Sequence, residues 1–300
     1  MLIRVLGSAA GGGFPQWNCG CDNCRAVRGG SSAFRARTQE AVAVSADGDA
    51  WFLINASPEI RSQIESFERL WPRAARHSPI AGLLLTNGDL DHCLGLFSLR
   101  ESHPLVVHAT DSVRAGLVED NVLYRTLERF PGQVTWQRFA LGEEQPLGDG
   151  TLRVTAVAVP GKVALHLEGR RAPSAGDNVG FVIRDTQSGG KLAYFSGVAG
   201  PSDALSRSLE GASVVFFDGT FWSSDELIRA GLGTRRAEDM AHWPTGGSEG
   251  SLGLLARQSG RRYLIHVNNT NPVLREDGEQ RRTALLAGVD VAHDGLELSC

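Results

Sequence analysis

No apolar run in this sequence approaches the roughly 20 residues needed for a membrane-crossing helix. The opening stretch, MLIRVLGSAAGGG, lacks a basic leader and a long apolar segment, so no secretory signal peptide is expected. Cysteine is scarce, with five residues of which three are clustered, and that is not a secreted disulfide framework. A strong excess of one charge is also missing. The net charge of −4 gives no reason to expect a nucleic-acid partner. There is no low-complexity segment and no short-period repeat. What is present is 42% hydrophobic and 21% charged residues in 300, a globular composition with enough chain to bury a large core. A cytoplasmic protein without a membrane span is expected.

Strand patterns dominate. LIRVLG (Leu2–Gly7) reads as a first strand, followed by a glycine-rich loop. AVAVS and WFLINA flank an Asp-Gly turn and read as a hairpin. SPEIRSQIESF predicts a helix capped by Ser57 with Pro58 first. IAGLLLT predicts a buried strand and DHCLGLFSLRE a helix after it; LVVHA and TDSVRAGLVED repeat that order. VTWQRFA, TLRVTAVAV, NVGFVIRD and KLAYFSG read as successive strands. SVVFFDGTFW ends a strand in Asp218, GSEGSLGLLARQSG reads as a helix, and RYLIHVNNTNP ends a strand in His266. Each half mixes strands with helices, which favours two packed sheets with helices on both outer faces, in a single domain over residues 1–300. The segment from Lys162 to Asn178 is a candidate lid or insertion.

The polar residues fall at strand ends. Asp89, Asp91 and His92 follow one strand, Asp218 another and His266 a third, while His242 sits in a loop before a helix. Strand ends on one sheet edge commonly converge on a site. Histidine and carboxylate ligands with open positions suit a divalent transition metal. Singly, Asp89 or Asp91 reads as a helix cap and His92 or His266 as a hydrogen-bonded structural residue. Together they point to a metal site. His77, His103, His108, His166 and His293 have no ligand cluster around them and are read as structural.

TNGDLDH, DGTFW and LIHVNNTNP resemble the metallo-β-lactamase superfamily, and more closely its PqqB family of pyrroloquinoline quinone (PQQ) biosynthesis. GSAAGGGFPQWNCGCDNC, RTQEAVAVS, INASPEIRSQI, VPGKVALHLE and MAHWPTGGSEGSL resemble that family too, so the likeness runs along essentially the whole chain. It implies an α/β fold, an αββα sandwich of two mixed β-sheets flanked by helices, with its site at the sheet edges. It also exposes a departure. The superfamily's usual loop is His-x-His-x-Asp-His. Here Asn87 and Asp89 stand where the two leading histidines belong, and the region of the later first-site histidine corresponds to VPGKV around Lys162. Half of the dinuclear site is missing; Asp91, His92, Asp218 and His266 remain. Two histidines and a carboxylate suit a non-haem ferrous oxygenase.

The resemblance implies Fe(II)- and O2-dependent hydroxylation of the tyrosine in a Glu-Tyr unit, alongside other PQQ-pathway proteins. The alternatives are a carrier of PQQ or its precursor, or a metal-dependent hydrolase. Asp91, His92 and His266 are the primary iron ligands. Asp89 and Asp218 are candidates for further ligands or for orienting a water at the metal. His242 is a candidate general acid/base or substrate-holding residue, with anchoring of its own loop as the alternative, and Asp218 is grouped beside it as catalytic. Arg37, Gln39, Glu40 and Lys162 are candidates for binding the substrate's carboxylates and amines. A second constellation, Cys19, Cys21 and Cys24 in a loop at about residues 17–25, has the spacing to wrap a structural zinc. A redox pair or free thiols are the alternatives. By resemblance to related phosphodiesterases, the fourth ligand position falls on Asn269.

Overall fold

Among the described residues, fourteen strands build two seven-stranded sheets. The structure, a computed structural model, describes residues 1–101 and 103–300. The first sheet contains β1 (Leu2–Gly7), β2 (Ala41–Ser45), β3 (Trp51–Ile54), β4 (Ile80–Leu84), β5 (Leu105–Ala109) and β6 (Val134–Arg138). The second contains β7 (Glu144–Leu147), β8 (Leu152–Ala158), β9 (Val179–Asp185), β10 (Lys191–Phe195), β11 (Val214–Asp218), β12 (Arg261–Ile265) and β13 (Val289–Val291), while β14 (Glu297–Ser299) returns to the edge of the first. The orders are β14-β1-β2-β3-β4-β5-β6 and β13-β12-β11-β10-β9-β8-β7. Hairpin pairing along β1-β2-β3 gives way to parallel pairing from β3 to β6. In the second sheet β7 to β10 are antiparallel and β10 to β13 parallel. The expected two mixed sheets are therefore present.

Strand alternation explains the layers. Val42, Val44, Ile54 and Leu84 point inward against Phe181, Tyr194 and Phe216 of the other sheet, forming the shared core. Their neighbours Ala41, Ala43, Leu53 and Leu83 point outward and are covered by helical residues Ile60, Val113 and Leu117. On the far side Phe195, Val215 and Phe217 are covered by Leu205, Leu209 and Leu255. Both faces of the central strands are buried, so they read as apolar runs rather than as alternation. Each such side chain contributes roughly 1.5–3 kcal/mol.

Two predicted helices differ from expectation. The one expected from Ser57 begins at Ile60, because Ser57 Oγ accepts the Glu59 N–H at 3.2 Å and donates to Gln63 at 2.9 Å. The one expected from Asp91 is a single α turn, Leu90–Cys93, followed by a 3-10 segment, Leu94–Leu99. Gly95 is the cause. Its N–H leaves the helix ladder for Ala56 O at 2.9 Å, and a Cβ there would lie 2.2 Å from Ser57 O. Strands β7, β13 and β14 and the helix Glu279–Leu286 were not anticipated. Among the described residues, no helix is long and apolar enough to cross a membrane.

Candidate metal centre

The parallel strands end on one edge, and the chemistry collects there. Thr86 follows β4, and Asp91 and His92 ride on the short helix beyond it. Asp218 ends β11 and His266 follows β12. His266 sits in the left-handed region (φ 58°), as does Asn55 after β3 (φ 63°). Such a conformation in a non-glycine residue persists only where surroundings enforce it, and it turns each side chain back toward the edge. Gly11 approaches from the glycine-rich loop; a Cβ there would lie 3.1 Å from Asp91 Oδ2.

Three donors face one another. His92 Nε2 lies 3.1 Å from His266 Nε2, and Asp91 Oδ2 lies 3.2 Å from His266 Nε2 and 3.5 Å from His92 Nε2. The opposite ring nitrogens are held from behind. Thr220 Oγ1 donates to Asp218 Oδ1 at 2.6 Å and so accepts the His266 Nδ1–H at 2.8 Å. Thr86 Oγ1 donates to Asn55 Oδ1 at 3.0 Å and lies 2.8 Å from His92 Nδ1, which Asn55 Nδ2 approaches at 3.0 Å. Both Nε2 atoms therefore face the gap. Two ring nitrogens and a carboxylate oxygen this close repel unless a proton or a metal cation lies between them. Ligands 2.1 Å from a metal would be about 3.0 Å apart at right angles and about 3.4 Å apart in a tetrahedron. The separations here fit either arrangement.

Charge follows the same logic. Burial opposes a proton on His266, but its bond to Asp91 and the nearby Asp218 and Glu40 outweigh burial and push it up to about 9. Burial pulls His92 down to about 4. Burial raises Asp91, yet the two imidazoles more than offset it and hold the carboxylate well below its ordinary range. His242 donates its Nδ1–H to Asp218 Oδ2 at 2.7 Å and stacks on His266 with ring centroids 5.4 Å apart. Asp218 itself is fully buried and also accepts the Val198 N–H at 2.9 Å.

A family model described as a beta-lactamase superfamily domain matches residues 50–267. The chain is 47% identical to coenzyme PQQ synthesis protein B of a Methylobacterium species, over the whole of both chains. It is 40% identical to that of Azotobacter vinelandii over 99% of each. The crystal structure of zinc-bound PqqB from Methylobacterium extorquens superposes with a TM-score of 0.94 at 43% identity, covering 100% of both chains. The chain belongs to the PqqB family. A diphosphatase of the PhnP family shares the fold alone, with a TM-score of 0.70 at 22% identity over 100% of this chain and 97% of that one.

Among the other residues predicted for this PqqB-family site, several stand apart. Asp89 is at the N-cap position of Leu90–Cys93 but does not cap it. Its oxygens take the Leu165 N–H at 2.8 Å and Lys162 Nζ at 3.4 Å, away from the three donors. Arg37 does not line the cavity: it is 4% exposed and donates to Ser8 Oγ and the Ala292 carbonyl. Glu40, 1% exposed, comes within 3.8 Å of His92 Nε2 and accepts from Asn55 Nδ2 at 2.9 Å; burial pushes it up to about 8. Gln39 and Lys162 do line the 550 Å³ cavity that opens onto Asp91, His242 and His266. So do Leu165 and His166 of the candidate lid, Phe221, Met240 and Asn268, which lie within DGTFW, MAHWPTGGSEGSL and LIHVNNTNP, and Arg235, which lies outside every such motif.

The cysteine loop also assembles. Cys19, Cys21 and Cys24 bring their sulfurs within 4.8 Å of one another. Burial and the neighbouring thiols push Cys21 up to about 11, so three thiolates there require a cation. Asn269 turns its amide nitrogen toward the sulfurs, at 3.1, 3.6 and 3.4 Å. An amide nitrogen has no lone pair to give a metal, so in this orientation Asn269 is a donor to sulfur and not the fourth ligand.

Proposed function

We propose that this chain is a metal-dependent enzyme of PQQ assembly that holds one Fe(II) on Asp91, His92 and His266 and hydroxylates the tyrosine ring of a Glu-Tyr unit. The observation that carries this is the donor set: two Nε2 atoms and one carboxylate oxygen within 3.5 Å of one another, with Asp89 turned elsewhere. Fe(II) bound there would supply the activation of O2 that no side chain provides. Lys162 supports a single ion, since its ammonium stands beside Asp89 and Asn87 in the small cavity reaching to His92. Leu90, Leu165, Phe221 and Met240 provide apolar walls for an aromatic ring. His242, oriented by the buried Asp218, is placed to take or return a proton at its Nε2, and Asp218 acts through it. We assign a structural zinc to Cys19, Cys21 and Cys24, and the cytoplasm as the compartment.

A second reading, a zinc hydrolase, is favoured by the superfamily fold and by the zinc in the Methylobacterium extorquens relative. The two separate cleanly. Protein reconstituted anaerobically with Fe(II), then given O2, Glu-Tyr and ascorbate as two-electron reductant, is expected to add one oxygen atom from ¹⁸O2 to the ring. His92→Ala or His266→Ala abolishes this, and zinc does not substitute. Label arriving only from water, or ester hydrolysis by the zinc form, returns the hydrolase. Tight binding without turnover in either form returns the carrier.

A further inference from the structure

The cavity over the candidate metal centre has a volume of 550 Å³, the size of a small-molecule pocket. Its charges are unevenly matched. Asp91 faces the two imidazoles, and Asp89 is taken by Lys162 and the Leu165 N–H. Lys162 in turn lies between Asp89 and Glu168, at 3.4 and 3.5 Å. Arg235 differs. Among the described residues its guanidinium pairs with no carboxylate and donates only to the Asp239 carbonyl of its own loop. Residues 231–236 are exposed throughout, so Arg235 stands at the rim, whereas Asp91 and the buried His266 line the same cavity from within.

A guanidinium presents paired N–H donors that match a carboxylate, and one bond to a loop carbonyl leaves most of them available. Lys162 is a poorer anchor, since an incoming anion would compete with two carboxylates already beside it. We propose that Arg235 is the anion anchor of this pocket, taking a substrate carboxylate at the mouth while the aromatic end lies over Asp91, His92 and His266. This rests on the Glu-Tyr reading above and adds the residue that sets orientation and selects for an acidic ligand.

Calorimetry on the zinc-loaded protein, which does not turn the ligand over, tests it. The probes are L-glutamyl-L-tyrosine, L-glutamyl-L-tyrosinamide and L-glutaminyl-L-tyrosine, the last two each lacking one carboxylate. The parent is expected to bind one neutral analogue at least about tenfold more weakly than the dipeptide. Arg235→Gln is expected to bind the dipeptide as weakly as the parent binds that analogue, and Arg235→Lys to recover part of the loss. With Fe(II) and O2, the Arg235→Gln loss falls on KM and little on kcat. If Arg235→Gln binds the dipeptide as the parent does, the anchor is elsewhere and the Glu-Tyr reading stands. If the parent binds none of the probes, the Glu-Tyr reading and the anchor fall together.

Discussion

At the scale of single residues, the site depends on two threonines as much as on its histidines. Thr220 hands a hydrogen to Asp218 and takes one from His266 Nδ1, and so decides which nitrogen of His266 faces the gap. Thr220→Val removes that link while nearly keeping the shape. The ring is then free to swing or to take the other tautomer. Metal affinity is expected to fall about 10- to 100-fold, the range for losing an outer partner of a ligand. Competition against a chromogenic chelator measures it, and an unchanged affinity would show that packing alone orients the ring. His242 has the corresponding dependence on Asp218, at 2.7 Å.

At the scale of elements, the cysteine loop and the turn after β12 are fastened together. Asn269 donates to the sulfurs, and Asn23 Nδ2 donates to the Asn269 and Asn271 carbonyls at 3.0 and 3.1 Å. That turn begins at His266, so the loop buttresses a candidate ligand from outside the cavity. Cys21→Ser removes one thiolate from a three-sulfur site. It is expected to lower the melting temperature and the bound zinc by one equivalent while His92 and His266 stay in place. Metal analysis with a thermal melt checks this; equal zinc and equal melting in variant and parent would exclude a zinc knot.

At the scale of the whole molecule, buried carboxyls give the fold a pH dependence. Burial, partly offset by bonds from Thr270 and from the Trp222 and Ser223 backbone, pushes Glu226 up to about 7 from an ordinary 4.5. The folded form thus holds a proton that the unfolded form releases at lower pH. Stability from this group is complete below about 4.5 and declines as pH rises through about 7, by about 3 kcal/mol in all. Asp218 acts oppositely: its lowered value contributes stability above the ordinary carboxylate range. Glu226→Gln is expected to flatten the decline in melting temperature between pH 4.5 and about pH 7, the span of the raised group. An identical slope in variant and parent would place the titration elsewhere.

What was legible from sequence was local. Asp91 and His92 are adjacent, Asp218 and His266 stand at the ends of apolar strands, and three cysteines occupy one short loop, so spacing alone marked them. The paired sheets followed from strand runs alternating with helical patterns. Asp89 was read together with Asp91, but residues two apart on a helical turn point to different sides, and only Asp91 meets the imidazoles. RTQE shows the charges of Arg37 and Glu40 but not their burial, because the partners that enclose them, Ser8 and Ala292 for Arg37 and Asn55 for Glu40, come from other segments. Arg235, Phe221 and Met240 reach the cavity from segments more than a hundred residues beyond the Asp91 loop. The sequence by itself determined the ligand types and the strands that end in them. Which donors converge, which nitrogen each histidine presents and what lines the cavity were decided only by the tertiary structure, because each is a relation between residues that the chain places far apart.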